Sequence, residues 1–128
     1  MKINKIHHVA IICSDYEKSK DFYVNKLGFE IEKETYREER DSYKLDLKVA
    51  GAYQIELFSF PNPPERVNAP EARGLRHLAF EVDDVEETVK ELNKLGIETE
   101  PVKIDDLTGK KYTFFSDPDK LPLEIYEK

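Results

Sequence analysis

Two histidines and two glutamates recur at matched places in this 128-residue chain. His8 and His77 lie 69 residues apart, and Glu56 and Glu124 lie 68 apart. Each histidine opens a short apolar run, in "HVAIIC" and "HLAFEV", and each glutamate sits between apolar neighbours, in "QIELF" and "PLEIY". Imidazole nitrogens and carboxylate oxygens together suit a divalent cation of the Ni²⁺, Co²⁺, Mn²⁺ or Zn²⁺ kind. Two carboxylates enclosed in one cleft are costly unless a cation or a proton offsets them. Four such donors leave positions open on a six-coordinate ion, whereas a structural tetrahedral zinc is closed by its four protein ligands. One divalent metal per site is therefore expected, held by His8, Glu56, His77 and Glu124, with room for water or substrate oxygens.

Strands must position these residues, because neighbouring side chains on a strand point to opposite faces. In the first run, Val9 and Ile11 share a face with His7, and Ala10 and Ile12 share one with His8. In the second, Leu78, Phe80 and Val82 form an apolar face and His77, Ala79 and Glu81 the other. Ile55 and Leu57 flank Glu56 as Leu123 and Ile125 flank Glu124. The apolar faces are expected against helices, which puts the four ligand-type residues on the opposite, concave side. His7 corresponds to Arg76 and is expected at a wet strand entrance, away from the metal. Phe58 and Tyr126 lie two residues beyond Glu56 and Glu124, so they are candidate walls of a substrate pocket. Arg37, Arg40, Lys44 and Arg73 are candidates to meet an anionic substrate, with surface charge as the alternative reading.

The repeat extends to whole modules. Ser19, Phe22, Tyr23 and Leu27 in one half, and Val85, Thr88, Val89, Leu92 and Leu95 in the other, have the spacing of amphipathic helices. Ser14 with Glu17, and Asp83 with Glu86, are spaced as helix-start caps, and Gly28 and Gly96 as helix stops. Three strand-like segments follow each helix, with the last three spanning 98–105, 111–118 and 121–128. The expected fold is α+β: two βαβββ modules forming a curved mixed sheet. It occupies one domain, 1–128, with module 1 at about 4–60, a proline-rich linker at about 61–73 and module 2 at about 74–128. A segment with four prolines cannot continue a helix or a central strand.

Composition narrows the partners. With 27 acidic against 20 basic residues the net charge is −7, which disfavours nucleic acid and anionic membrane surfaces. No apolar run approaches the ~20 residues of a membrane-spanning helix. The one cysteine, Cys13, reads as a small buried hydrophobe and forms no internal disulfide, so a cytoplasmic location is expected.

The stretches "HHVAIICSDYEKSKDFYVNKLGF", "YQIELF", "GLRHLAFEVDD" and "FFSDPDKLPLEIYE" resemble the vicinal oxygen chelate superfamily, which includes glyoxalase I, over essentially the whole chain. The resemblance extends to an uncharacterised bacterial glyoxalase-like subgroup. It implies the glyoxalase/bleomycin-resistance/dioxygenase-type fold and a His, Glu, His, Glu ligand set at His8, Glu56, His77 and Glu124, the pattern of glyoxalase I (lactoylglutathione lyase). It further implies a small-molecule substrate, a 2-oxoaldehyde–thiol hemithioacetal, with Glu124 or Glu56 as the catalytic base, and a homodimer in which a site draws on one chain or on two. Other activities of the superfamily, an epimerase or a thiol transferase, share the same oxygen chelation. A non-enzymatic small-molecule binder is the third class, and such members generally lack the metal ligands. The usual Asp-Pro-x-Gly turn is here Asp117-Pro118-Asp119-Lys120.

Overall fold

Alternating apolar residues build the first strand, β1 (Val9–Cys13): Ile11 and Cys13 are buried, while Ala10 and Ile12 are exposed on the other face. A helix α1 (Tyr16–Lys20), continuing as a π-helix over Asp21–Lys26, leads to β2 (Glu30–Arg37), β3 (Ser42–Val49) and β4 (Ala52–Ser59). The second half repeats this with β5 (Leu78–Val82), α2 (Val85–Lys94), β6 (Lys103–Ile104), β7 (Lys111–Ser116) and β8 (Pro122–Glu127). The structure, a computed structural model, describes residues 1–128 and divides into two units, Met1–Pro64 and Glu65–Lys128. The division falls inside the proline-rich stretch, which carries no helix or strand.

Each unit is one four-stranded mixed sheet with its helix. The strand orders are β1-β4-β3-β2 and β5-β8-β7-β6. In both, the first and last strands of the module pair in parallel and the remaining pairs are antiparallel. A parallel pair needs a long crossover, and the helix with two strands supplies it. In unit 1, Leu45 lies opposite Leu57 and Leu47 opposite Ile55, all four buried, and α1 packs on β4. In unit 2, Leu123, Ile125 and Phe115 are buried on the face where α2 packs against β7 and β8. No helix is long and apolar enough to cross a membrane.

The helix starts differ from expectation by one residue in each module. Asp15, rather than Ser14, accepts from the Lys18 backbone N–H at 3.1 Å, and Asp84, rather than Asp83, accepts from that of Glu87 at 3.0 Å. Tyr16 and Val85 take the first helical position and are buried there, which moves each cap one residue later. Leu95 is also a correction: it follows the last helical residue and is exposed, and Ile97 enters the core in its place. The extra residue of the first module is absorbed inside its helix. Leu27 N–H donates to the Phe22 carbonyl at 2.9 Å, an i→i−5 bond, where α2 keeps α-helical geometry through Lys94. A π turn is how a helix takes in one residue without losing its exit. Gly28 and Gly96 follow at φ of +78° and +79°, left-handed stops of the same kind.

Only Lys103 and Ile104 form β6, far fewer than the expected 98–105. Pro101 has no N–H to give, so pairing breaks there, although Glu100 N–H still donates to the Phe114 carbonyl at 2.9 Å.

The Asp117-Pro118-Asp119-Lys120 turn is held by its first side chain. The Asp117 carboxylate accepts from the Asp119 and Leu121 backbone N–H groups at 2.8 and 2.9 Å. Lys120 is consequently held at φ +66°, in the left-handed region that glycine enters without penalty. Lys120→Gly removes this steric cost and adds back unfolded-chain entropy. The net expectation is a gain of about 0.5–1 kcal/mol, readable in urea unfolding. A loss of stability on this substitution would mean that the lysine side chain itself holds the turn.

Candidate metal centre

The two sheets carry the same pair of side chains in the same register. Ala10 pairs with Glu56 across β1 and β4, and Ala79 pairs with Glu124 across β5 and β8. Each histidine stands two residues before its alanine and therefore on the face of its glutamate. Both histidines lie one residue ahead of their strands rather than within them, since β1 begins at Val9 and β5 at Leu78. They are thus free of the backbone ladder but held close to it. His8 Nδ1 lies 3.4 Å from Glu56 Oε2, and His77 Nε2 lies 2.9 Å from Glu124 Oε2. The carboxylates are buried, Glu56 at 7% and Glu124 at 9% exposure, while the imidazoles are half-exposed.

The surroundings of the two pairs differ. Beside Glu56, across from it on β3, lies a second buried carboxylate, Asp46. Lys44 Nζ sits 2.8 Å from Asp46 Oδ1 and 3.7 Å from Glu56 Oε1. The Tyr53 hydroxyl donates to Glu56 Oε2 and reaches Asp46 Oδ1 at 3.3 Å. Burial, then the bond to Glu56 and the neighbouring carboxylates, hold that hydroxyl well above the usual phenol range, so it remains a donor. Glu124 instead faces Phe114 on β7, whose ring meets His77 edge-on at 5.0 Å, and its one ion-pair partner is His77. Sequence reading missed Asp46 and Tyr53. Asp46 had a signal, since it sits between Leu45 and Leu47 as Glu56 sits between Ile55 and Leu57.

His7 is exposed just ahead of β1, and its Nδ1 shares a hydrogen bond with His8 Nδ1 at 2.9 Å, so it also touches a ligand-type residue. Phe58 lies on the Glu56 face, beneath the Arg37 guanidinium. Tyr126 lies on the Glu124 face, and its hydroxyl is engaged by the β6–β7 loop, donating to Asp105 Oδ2 at 2.9 Å and sharing a bond with Thr108 Oγ1. Arg40 and Arg73 are exposed. Cys13 is buried, and its thiol donates to the Phe58 carbonyl at 3.3 Å.

The donor chemistry fits a divalent cation. Each unit offers one imidazole and one buried carboxylate in mutual contact, and within either unit no third His, Cys, Asp or Glu side chain joins them in metal-holding geometry. With neutral imidazoles, as ligation requires, Lys44 offsets one of the two carboxylates in unit 1 and nothing offsets Glu124 in unit 2. Each pair is therefore one negative charge in excess.

Residues 5–125 match the family model of the Glyoxalase/Bleomycin resistance protein/Dioxygenase superfamily. The uncharacterized protein YwkD of Bacillus subtilis is 66% identical over 128 residues, covering 100% of both chains. The crystal structure of a glyoxalase family protein from Enterococcus faecalis superposes with a TM-score of 0.91 at 54% identity, covering 99% of this chain and 100% of that one. A variant of the fosfomycin resistance protein FosX from Listeria monocytogenes, complexed with Mn(II) and 1S,2S-dihydroxypropylphosphonic acid, shares the fold. Its TM-score is 0.76 at 21% identity, covering 99% of this chain and 94% of that one.

Proposed function

Since the chain belongs to the glyoxalase/bleomycin resistance protein/dioxygenase superfamily, we propose that it is a metal-dependent, glyoxalase I-like isomerase. Its substrate is the hemithioacetal of a 2-oxoaldehyde and a low-molecular-weight thiol, and its product a 2-hydroxyacyl thioester. One observation carries this reading: the same His–Glu pair at the same register in both modules, His8 with Glu56 and His77 with Glu124. The residues that would hold the ion are these four, drawn from one chain or from two chains of a homodimer. Their two excess negative charges match the charge of a divalent cation. The manganese-bound FosX variant, a protein of the same fold, supports a metal of this class.

A bound divalent ion supplies Lewis-acid polarisation of adjacent substrate oxygens and offsets negative charge developing on them. The chain's own work is proton transfer. Glu124 takes the proton from the carbon bearing the hydroxyl and sulfur and returns it to the adjacent carbon, while the hydroxyl proton passes to the former carbonyl oxygen, so the reaction is an isomerisation with no external reductant or oxidant. Glu124 suits this role because its surroundings, Ala79 and Phe114, leave its carboxylate without hydrogen-bonding neighbours other than His77. Glu56 is anchored by Tyr53 and approached by Lys44, which suits a fixed ligand.

The direct test is turnover. Full-length protein loaded with Mn²⁺ or Ni²⁺ should convert methylglyoxal plus a thiol into thioester, and chelation should abolish the reaction. Absence of turnover with every small thiol would contradict the isomerase reading and point to another oxygen-chelating reaction of the superfamily.

A further inference from the structure

Arg37 is a half-buried cation without an acidic partner, in a chain that carries 27 acidic residues. It ends β2 and lies opposite Ser42 of β3, donating from Nη2 to Ser42 Oγ at 2.8 Å. Its guanidinium carbon lies 4.8 Å from the Phe58 ring centre and 5.5 Å from that of Phe60, and these two rings stack at 6.0 Å with 11° between their planes. Its Nε is buried and has no hydrogen-bond partner. A guanidinium has five N–H donors, and withdrawing them from water without acceptors is unfavourable.

The position of this group matters more than its packing. Lys44 pairs with Phe58 and Asp46 with Glu56, so Phe58 is one step further along the same face as the His8–Glu56 pair. Two strand residues span about 7 Å. An anion held by Arg37 beside the Phe58 ring is thus next to the side chain one step along this face from Glu56. Of the other cations on this face, Lys44 is taken up by Asp46, and Lys33, opposite Asp46 on β2, is exposed to solvent. Arg37 is the one with a buried N–H lacking an acceptor, and its planar fork matches a carboxylate or phosphate.

We propose that Arg37, with Ser42, Phe58 and Phe60, forms an oxyanion-binding subsite, so that the molecule acted on carries a carboxylate or phosphate group joined to its reacting carbons by a short apolar segment. Assigning that anion to the substrate rests on the reading of His8 and Glu56 as reaction-site residues. The subsite itself is tested by binding, which needs no turnover.

Calorimetric titration of the full-length protein with phenylacetate, phenyl phosphate and the neutral phenylacetamide separates charge from ring. The native protein should bind at least one of the anions tenfold or more tightly than the amide, and the preferred anion names the group. Arg37→Gln should bring the probes to within about threefold of one another. Arg37→Lys keeps the charge but not the fork and should fall between the two. If Arg37→Gln fails to fold, Arg37→Lys carries the test, and an unchanged preference for the anion in it overturns the proposal. Equal binding of all three probes by the native protein, no binding of any, or an anion preference that survives Arg37→Gln also overturns it. A protein that isomerises hemithioacetals but shows no such preference would retain the proposed function and lose only this subsite.

Discussion

Glu124→Gln should bind metal and lose turnover by about two to four orders of magnitude, the contribution of a positioned general base. The amide oxygen still serves as a ligand, but the side chain no longer accepts a proton. The expectation falls on Glu124 because of how unlike the two glutamates are. Glu56 accepts the Tyr53 hydroxyl, lies 3.7 Å from Lys44 Nζ and sits beside Asp46, so its orientation is fixed by polar neighbours. Glu124 lies between Ala79 and Phe114 and meets His77 alone. A carboxylate that would take up and return a proton needs the second setting. Steady-state rates with methylglyoxal and thiol, taken beside the metal content of the same samples, check this. A metal-loaded Glu124→Gln protein at the unmodified rate would transfer the role of base to Glu56.

The two adjacent histidines should respond in opposite ways to removal. His8→Ala deletes a ligand and is expected to weaken metal binding by at least about 100-fold, beyond the 10–100-fold typical of losing a partner that only orients a ligand. His7→Ala removes the ring hydrogen-bonded to His8 at 2.9 Å. It should keep full stoichiometry at saturating metal, with affinity lowered by about tenfold at most. Metal titration followed by measurement of bound ion distinguishes them. Retention of metal by His8→Ala and its loss by His7→Ala would mean that the first strand is off by one residue, which turns every side chain to the other face.

Strand alternation and the internal repeat made the order of elements and the faces of the four ligand-type residues readable from sequence, because both depend on local pattern alone. The Ala10–Glu56 and Ala79–Glu124 pairings follow from the same pattern in both halves. What was not readable depended on contacts distant in sequence or on one residue's competition with its neighbour. Ser14 and Asp15 have equal chemical claim to a cap, and the burial of Tyr16 decided between them. The one-residue difference between the modules could be counted, but its absorption as a π turn at Phe22–Leu27 required the backbone bonds. The Tyr53–Glu56–Asp46 cluster joins β3 to β4, and Arg37, which has no acidic partner, joins β2 to both through Ser42 and Phe58. A residue's lack of a partner cannot be read from a sequence in which acids are abundant.

The most direct test of the account is an anomalous-scattering crystal structure of the manganese-loaded protein. One strong manganese peak per site is expected, bonded to His8, Glu56, His77 and Glu124, whether these come from one chain or two. A peak bonded to other residues, or none at full manganese loading, would contradict it.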